Sequence, residues 1–442
     1  MHTARSRGFL AAICSSTALV RTLPTTAAEG MAAPQSTPLS TSASRAASVT
    51  AASVGSVSPP LFAFGLIADI QYADLDDAWN FAKTDLRGYR GALACAANAV
   101  SDWNGTAAAT TAATNAAAAA TSASAADAST STSTITSTSA SLTSTAASTT
   151  LATPISFVLN LGDIIDQQNE SRGTSEKAIE SVLRALAPVG VDVHHLVGNH
   201  EMYNFSRGRL MELLGLPRRL YTSFVPHPEW RFVNLNSYDI TTIDNVETVA
   251  STETAYAFLE KKNPNELRGR GTTNWLAGLS GTDRRFVPYN GAIGAEQLEW
   301  FRAELRAAKE ANQRVVVSSH VPLKPGSCVD TTLLWNYEEV LDIICTEGRG
   351  CVVCVFQGHD HSGGYVVDAE GVHFVTMPSP LNAPKEDQRA HARVDVHDDR
   401  LVIHGRGIVP SRALCIARAD PIDTAAASLS VLSYTAPGAA KL

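Results

Sequence analysis

The chain has 442 residues, 45% of them hydrophobic, and a formal net charge of -8 at pH 7. An acidic balance without Lys/Arg runs excludes a general nucleic-acid binder, whose affinity needs a basic face that releases counterions. Seven cysteines without regular spacing exclude a secreted disulfide framework, and no apolar run reaches the length of a membrane span.

Residues 1–60 carry Arg5, Arg7, Arg21 and Arg45 against a single acid, Glu29, and are rich in Ser, Thr and Ala. That composition reads as an organellar transit peptide or as a disordered N-terminal extension. A secretory signal is the weaker third reading, because the apolar stretch from Phe9 to Val20 is broken by Ser15, Ser16 and Thr17. The expected location is intracellular: the cytosol, or a plastid or mitochondrion if residues 1–60 are a transit peptide.

LFAFGLIAD is then a strand ending at Asp69. From about Gly105 to Thr153 the chain is nearly pure Ala, Ser and Thr, with Asp127 its only charge. Such a segment cannot bury enough surface to offset its ordering entropy, so a disordered insertion in a surface loop is expected. ISFVLNLGD is a second strand, ending at Asp163. In SEKAIESVLRALAPV, Ile179, Val182, Leu183 and Leu186 share one helical face. VDVHHLVGNHE and RFVNLNS read as further strands. GAEQLEWFRAELRAAKEA repeats the helical spacing at Leu298, Phe301 and Leu305 before the strand RVVVSSH. CVVCVFQGHDH is another strand, in which Cys351 and Cys354, three apart, point to opposite faces and read as buried structural thiols. The tail alternates in GYVVD, VHFVT, ARVDV and LVIHG, with turn-prone pairs such as Asp398-Asp399, and reads as hairpins. Two packed sheets flanked by helices follow from this order. The domains are residues 1–60 as an extension, 61–415 as one domain of about 310 ordered residues carrying the 105–153 insertion, and 416–442 as a C-terminal tail.

Polar residues gather directly after the strands: Asp69 and Gln71, Asp163 and Asp166 in GDIID, Asn199, His200 and Glu201 in GNHE, His320, and His359 and His361 in GHDH. Open α/β sheets collect ligands beyond the carboxyl ends of their strands. Each residue alone reads as a helix cap or a structural histidine. Together, two carboxylates, two amides and three imidazoles make a donor set suited to borderline divalent metals.

The ordered motifs D-x-[HQ], GDxxD, GNH[DE], H and GHxH resemble those of the calcineurin-like metallophosphoesterases. FGLIADIQYADLDD, WNF at 79–81, LGDIID, VHHLVGNHEMYNFSR, NGAIGAEQLEW, LLWNYEEVL, CVVCVFQGHDHSGGY and GRGIVPSR resemble, more narrowly, the manganese-dependent ADP-ribose/CDP-alcohol diphosphatase family. The resemblance spans about residues 61–412, with the N-terminal extension and the insertion as departures. It implies an α/β metallophosphoesterase fold, a four-layer αββα sandwich of two mixed β-sheets flanked by helices. It implies two divalent ions, manganese first, with iron, zinc or magnesium as alternatives. Asp69, Gln71, Asp163 and His361 would hold one ion. Asp163 as a bridge, with Asn199, His320 and His359, would hold the other. His200 would be the catalytic imidazole beside the leaving oxygen. Asp166 would orient an imidazole or the turn, Glu201 would cap the following helix or, as the weaker reading, orient His200, and His194 and His195 would be structural.

The implied reaction is attack of a metal-activated hydroxide on the pyrophosphate bond of small nucleotides. ADP-ribose would give AMP and ribose 5-phosphate, and CDP-alcohols would give CMP and the phosphoalcohol. Candidate substrate contacts are Phe81 for a base, and Tyr203, Arg207, Arg406 and Arg412 for phosphate or ribose. The partners expected are small nucleotide diphosphates, with neither nucleic acid nor membrane; the oligomeric state stays open, a monomer being compatible. Two alternatives stand beside this reading: a cyclic-nucleotide phosphodiesterase or phosphomonoesterase on the same scaffold, and a non-catalytic scaffold, which the presence of His200 disfavours.

Overall fold

The computed structural model describes residues 58–80, 83–105, 153–243, 249–268 and 274–416. The N-terminal extension before residue 58, nearly all of the Ala/Ser/Thr insertion, Phe81 and the tail after residue 416 lie outside the described residues. Among the described residues no helix is long and apolar enough to cross a membrane.

Strand β1 (Phe62–Ile67) shows how the sequence builds the layers. Its alternate residues Phe62, Phe64 and Leu66 join a cluster with Phe157, Phe232, Phe356 and Val394. The residues between them, Ala63 and Ile67, join a different cluster with Ala96, Trp103, Ile179 and Val182. A strand whose two faces are both buried needs a layer on each side.

The first sheet adds β4 (Ile155–Asn160), β5 (Asp192–His195), β12 (Ala390–Val396), β13 (Arg400–Gly407) and β14 (Arg412–Cys415) in the order β14-β13-β12-β1-β4-β5. β1, β4 and β5 run parallel, and β12 joins β1 antiparallel. The second sheet has the order β10-β11-β9-β8-β7-β6, made of β6 (Thr222–His227), β7 (Trp230–Leu235), β8 (Arg314–Ser319), β9 (Val352–Gln357), β10 (Gly364–Val367) and β11 (His373–Thr376). β7, β8, β9 and β11 are parallel. The tail hairpins therefore divide: β10–β11 closes the second sheet, and β12–β13 extends the first.

Between the sheets lies an aromatic seam. Phe64 stacks on Phe157 at 5.2 Å and meets Phe232 edge-on at 5.3 Å. Helix α1, residues 89–105, buries Ala92, Ala96, Ala99 and Trp103. Helix α3 (Ser175–Leu186) buries Ala178, Ile179, Val182 and Leu186, and both helices pack in the cluster with Ala63 and Val158 of the first sheet. Against the second sheet, α7 (Ala295–Glu310) buries Phe301, Leu305 and Ala308, and α8 (Tyr337–Thr346) buries Val340, Ile343 and Ile344. The result is the expected four-layer αββα sandwich. Cys351 lies in the helix-side layer and Cys354 in the seam, and both are free thiols.

A short hairpin, β2 (Ala78–Trp79) and β3 (Leu86–Arg87), stands apart from both sheets. Its turn is tied by the Asn80 side chain, which donates to Thr84 Oγ1 and Asp85 Oδ2 and accepts from the Thr84 amide, each at 2.9 Å.

Candidate metal centre

Parallel strands of both sheets end at one edge of the sandwich, and the polar motifs follow them there. Asp69 and Gln71 come after β1, Asp163 after β4, and Asn199 and His200 after β5. From the second sheet, His320 follows β8, and His359 and His361 follow β9. Asp69, Gln71, Asp163 and His359 have φ of 50°, 46°, 53° and 66°. Left-handed backbone at non-glycine residues costs free energy and persists only where the surroundings over-determine it. Here it turns consecutive side chains back into the cavity.

Neighbouring glycines make room for this. A Cβ on Gly198 would collide with Asp163 Oδ1, and one on Gly358 would lie 2.6 Å from Asp69 Oδ2. Any larger residue in the GNHE or GHDH turn therefore displaces a carboxylate of the cluster.

Three of the four imidazoles are fixed by a hydrogen bond on the far side of the ring. His320 Nδ1 lies 2.7 Å from the Leu161 carbonyl, which can only accept, so Nδ1 carries a proton and Nε2 presents the lone pair. His359 Nε2 lies 2.8 Å from Asn290 Oδ1. The Asn290 amide is oriented by donating to the Arg285 and Thr331 carbonyls at 2.9 and 2.8 Å, so its oxygen faces the ring and Nδ1 of His359 is left with the lone pair. His200 Nδ1 accepts from the Gln167 amide at 2.7 Å, which puts the proton of the neutral ring on Nε2. His200 is thus set up as a donor, and His320 and His359 as acceptors.

The carboxylates are equally constrained. Asp69 accepts the His359 amide on both oxygens, at 2.9 and 3.0 Å. Asp163 Oδ1 accepts from the His200 amide at 2.8 Å, and Oδ2 from Gln71 Nε2 at 2.9 Å. Gln71 Nε2 also lies 2.8 Å from His361 Nε2. Glu201 Oε2 accepts from the Gly198 amide at 2.9 Å, capping the helix as expected, and its carboxylate also accepts from the amides of Asp163, Ile164 and Ile165, clamping the GDIID turn to the GNHE turn. Asp166 Oδ1 caps the amide of Gln168, and its other oxygen is 3.5 Å from His200 Nδ1. His194 stacks on Phe224 at 3.7 Å, away from this cluster.

Electrostatics show what the cluster lacks. Burial, together with the Asp163 charge, pushes the Asp69 carboxyl well above its ordinary range. The same two causes raise Glu201 to about 7. Burial opposes charge on Asp163 too, but His320 and His200 outweigh it and hold its carboxyl down. Burial lowers His359 to about 3 and holds His361 well below the ordinary imidazole range, the latter helped by Arg87. His320 goes the other way: burial resists its protonation, yet Asp163 lifts it to about 9, a proton serving where a cation would.

Divalent metal fits these residues. Ligand atoms of Asp163, His320 and His359 lie within 4.8 Å of one another. His320 Nε2 and Gln71 Oε1 are buried without a hydrogen-bond partner. Buried carboxylates, imidazole lone pairs and an orphaned amide oxygen ask for positive charge.

The cavity above the cluster, about 310 Å³, is lined by Gln71, Asp163, Asn199, His200, His359 and His361, and beyond them by Asn80, Thr84, Asp85 and Arg87 of the hairpin, Tyr289, Thr331 and Asn382. Tyr203 packs edge-on to His200 at 5.9 Å. Arg207 donates to the carbonyls of Tyr238 and Asp239. Arg412 lies over the Tyr365 ring at 4.4 Å, and Arg406 faces another cavity. None of the four lines the cavity above the cluster. Sequence reasoning passed over Arg87, which follows WNF by six residues, and Asn290, the first residue of the NGAIGAEQLEW segment.

The calcineurin-like phosphoesterase family matches residues 149–363, beginning after the first motif. A manganese-dependent ADP-ribose/CDP-alcohol diphosphatase of Oryza sativa subsp. japonica is 34% identical over 359 residues, covering 80% of this chain and 94% of that one. The Homo sapiens protein of the same name is 32% identical over 372 residues, covering 80% and 92%. A crystal structure of a dimetal phosphatase from Danio rerio superposes with a TM-score of 0.65 at 30% identity, over 81% of this chain and 100% of that one. Motifs at five strand ends, a cation-seeking cluster and similarity over 80% of the chain agree: the chain belongs to the manganese-dependent ADP-ribose/CDP-alcohol diphosphatase family of the calcineurin-like phosphoesterases.

Proposed function

We infer that this protein is a hydrolase that cleaves the pyrophosphate bond of ADP-ribose, giving AMP and ribose 5-phosphate, and of CDP-alcohols, giving CMP and the phosphoalcohol. The observation that carries this is the convergence of all seven proposed ligands and His200 at one edge of the sandwich, in a chain that covers 94% of its rice relative. Asp69, Gln71, Asp163 and His361 would hold one divalent ion, and Asp163, Asn199, His320 and His359 a second, manganese being the metal named for the relatives. When bound, such ions supply positive charge to phosphoryl oxygens and acidify water.

The chain's own residues do the rest. His200 keeps its Nε2 proton because Nδ1 is occupied by the Gln167 amide, and Nε2–H donates to the oxygen that leaves. Arg87 faces the diphosphate and neutralises part of its charge, on a hairpin whose turn is held by the Asn80 and Thr84 side chains. Tyr289, whose ring centroid is 5.9 Å from that of His359, also lines the cavity, where a base or ribose can lie against it.

Hydrolysis of ADP-ribose, CDP-choline and 2′,3′-cyclic AMP should be measured side by side with Mn²⁺, Mg²⁺ and Zn²⁺. The two diphosphates are expected to turn over fastest, with Mn²⁺. Preference for the cyclic nucleotide, or for a simple phosphomonoester added to the panel, would overturn the substrate assignment.

A further inference from the structure

On the outer face of the first sheet, under the end of α1, lies a second cavity of about 220 Å³ lined by Asp102, Trp103, His391, Arg393, Asp395, His404 and Arg406. It shares no lining residue with the cavity above the metal cluster. β12 and β13 build it: His391 is paired in register with Arg406, and Arg393 with His404, so alternate residues of two neighbouring strands project four titratable groups onto one face. An outer sheet face under a helix is ordinarily apolar, as the Ala63 and Val158 side of the same sheet is. Four such groups in that position are out of keeping with a purely structural wall.

Two of these groups are buried and incompletely satisfied. His391 is fully buried; its Nε2 lies 3.2 Å from Asp102 Oδ2 without hydrogen-bond geometry, and its Nδ1 has no partner at all. Burial outweighs the Asp102 charge and lowers this imidazole to about 4, so the ring is neutral near pH 7. With the proton on the nitrogen facing Asp102, Nδ1 offers a lone pair and needs a donor. Arg393 is 8% exposed. Its Nε donates to Asp395 at 2.7 Å and Nη2 to the Thr153 carbonyl, while Nη1 is buried without an acceptor. Arg406 is exposed at the rim. The acids are already engaged: Asp102 takes Arg389 Nε at 2.9 Å, and Asp395 takes Arg393 and, at 3.0 Å, His404. The cavity therefore asks for a ligand that accepts from two guanidinium groups and donates once.

We propose that this cavity is an accessory binding site for a phosphoryl group that keeps one proton, either inorganic phosphate or the phosphate of a phosphomonoester, its oxygens accepting from Arg393 and Arg406 and its P–OH donating to His391. Guanidinium forks suit tetrahedral oxyanions, and Trp103, edge-on to His391 at 5.5 Å, closes the apolar floor beneath them. Sulfate presents the same shape and charge but no proton near pH 7, and is expected to bind less tightly.

The manganese-loaded full chain should be melted with increasing inorganic phosphate, ribose 5-phosphate or sulfate, as wild type, Arg406→Ala and Arg406→Lys. Arg406 is exposed, so folding of these variants is not at issue, and phosphate at the metal cluster contributes equally to all three. The alanine variant is expected to lose on the order of tenfold in phosphate affinity for this site, as for one charge-assisted hydrogen bond, with partial recovery in the lysine variant. A larger rise in melting temperature with ribose 5-phosphate than with inorganic phosphate would assign the site to phosphomonoesters, and the reverse to the free ion. Crystals soaked in phosphate should show density between His391 and Arg406. Identical phosphate-induced shifts in wild type and Arg406→Ala, or a cavity holding only water in the soaked crystal, would overturn the proposal. Both readouts are independent of turnover, so they stand or fall separately from the substrate assignment.

Discussion

His200 and Asn290 illustrate two ways a side chain serves this centre. His200 faces the cavity, with its ring polarised by the Gln167 amide. His200→Ala is expected to lower kcat on the order of 10²–10⁴-fold while bound manganese, measured by elemental analysis, stays at wild-type stoichiometry. Asn290 does not line the cavity but dictates which nitrogen of His359 is free. Asn290→Ala should raise the Mn²⁺ concentration for half-maximal activity by roughly 10–100-fold, the usual effect of removing a partner that orients a metal ligand. The first residue was legible in the sequence, because GNHE has a fixed place after a strand. The second was not: its role arises from a contact 69 residues away in the chain, and nothing local to Asn290 announces it. The arginines were harder still. Arg207, Arg406 and Arg412 look alike in sequence, and only the fold shows that Arg207 is spent on two carbonyls while Arg87 faces the cavity.

Among the elements, the strands were plain and some of the helices were not. Continuous apolar runs ending in Asp, Asn or His marked β1, β4, β8 and β9, because strands buried on both faces leave little room for polar residues. Helix α1 escaped notice. Its inward stripe sets Ala92, Ala96 and Ala99 among Tyr89, Val100 and Trp103, and the small residues merge in sequence with the Ala-rich segment beyond residue 105. Nor could pattern alone assign the tail hairpins to separate sheets, since alternation fixes a face but not a neighbour. The turns after the strands carry the sharper prediction. Gly198→Ala should abolish measurable hydrolysis and lower the melting temperature, because the added methyl meets the Asp163 carboxylate and, at 2.6 Å, the Asp163 backbone nitrogen.

For the molecule as a whole, two histidines remote from any proposed reaction step add to its sensitivity to acid. Burial lowers His195 and His391 from 6.5 to about 4. Above pH 6.5 both are neutral whether the chain is folded or not. Between pH 6.5 and 4 the unfolded chain takes up protons that the folded one refuses, so stability falls as pH falls through that window. Urea midpoints at pH 7, 5.5 and 4.5 should show this decline, and His195→Gln should make it shallower; a midpoint independent of pH over this range would contradict the assignment. The αββα order itself was legible, because alternating strands and helices followed by hairpins admit few arrangements.

The proposed donors come from both halves of the sandwich: Asp69, Gln71, Asp163 and Asn199 from one, His320, His359 and His361 from the other. A loaded centre is then a rivet through the open rim of the seam, joining two slabs that elsewhere adhere by aromatic contact. Chelation should lower the melting temperature, by an amount that grows with the manganese concentration removed, and should quicken amide hydrogen exchange at the strand ends beside the rim before it does so around Phe64.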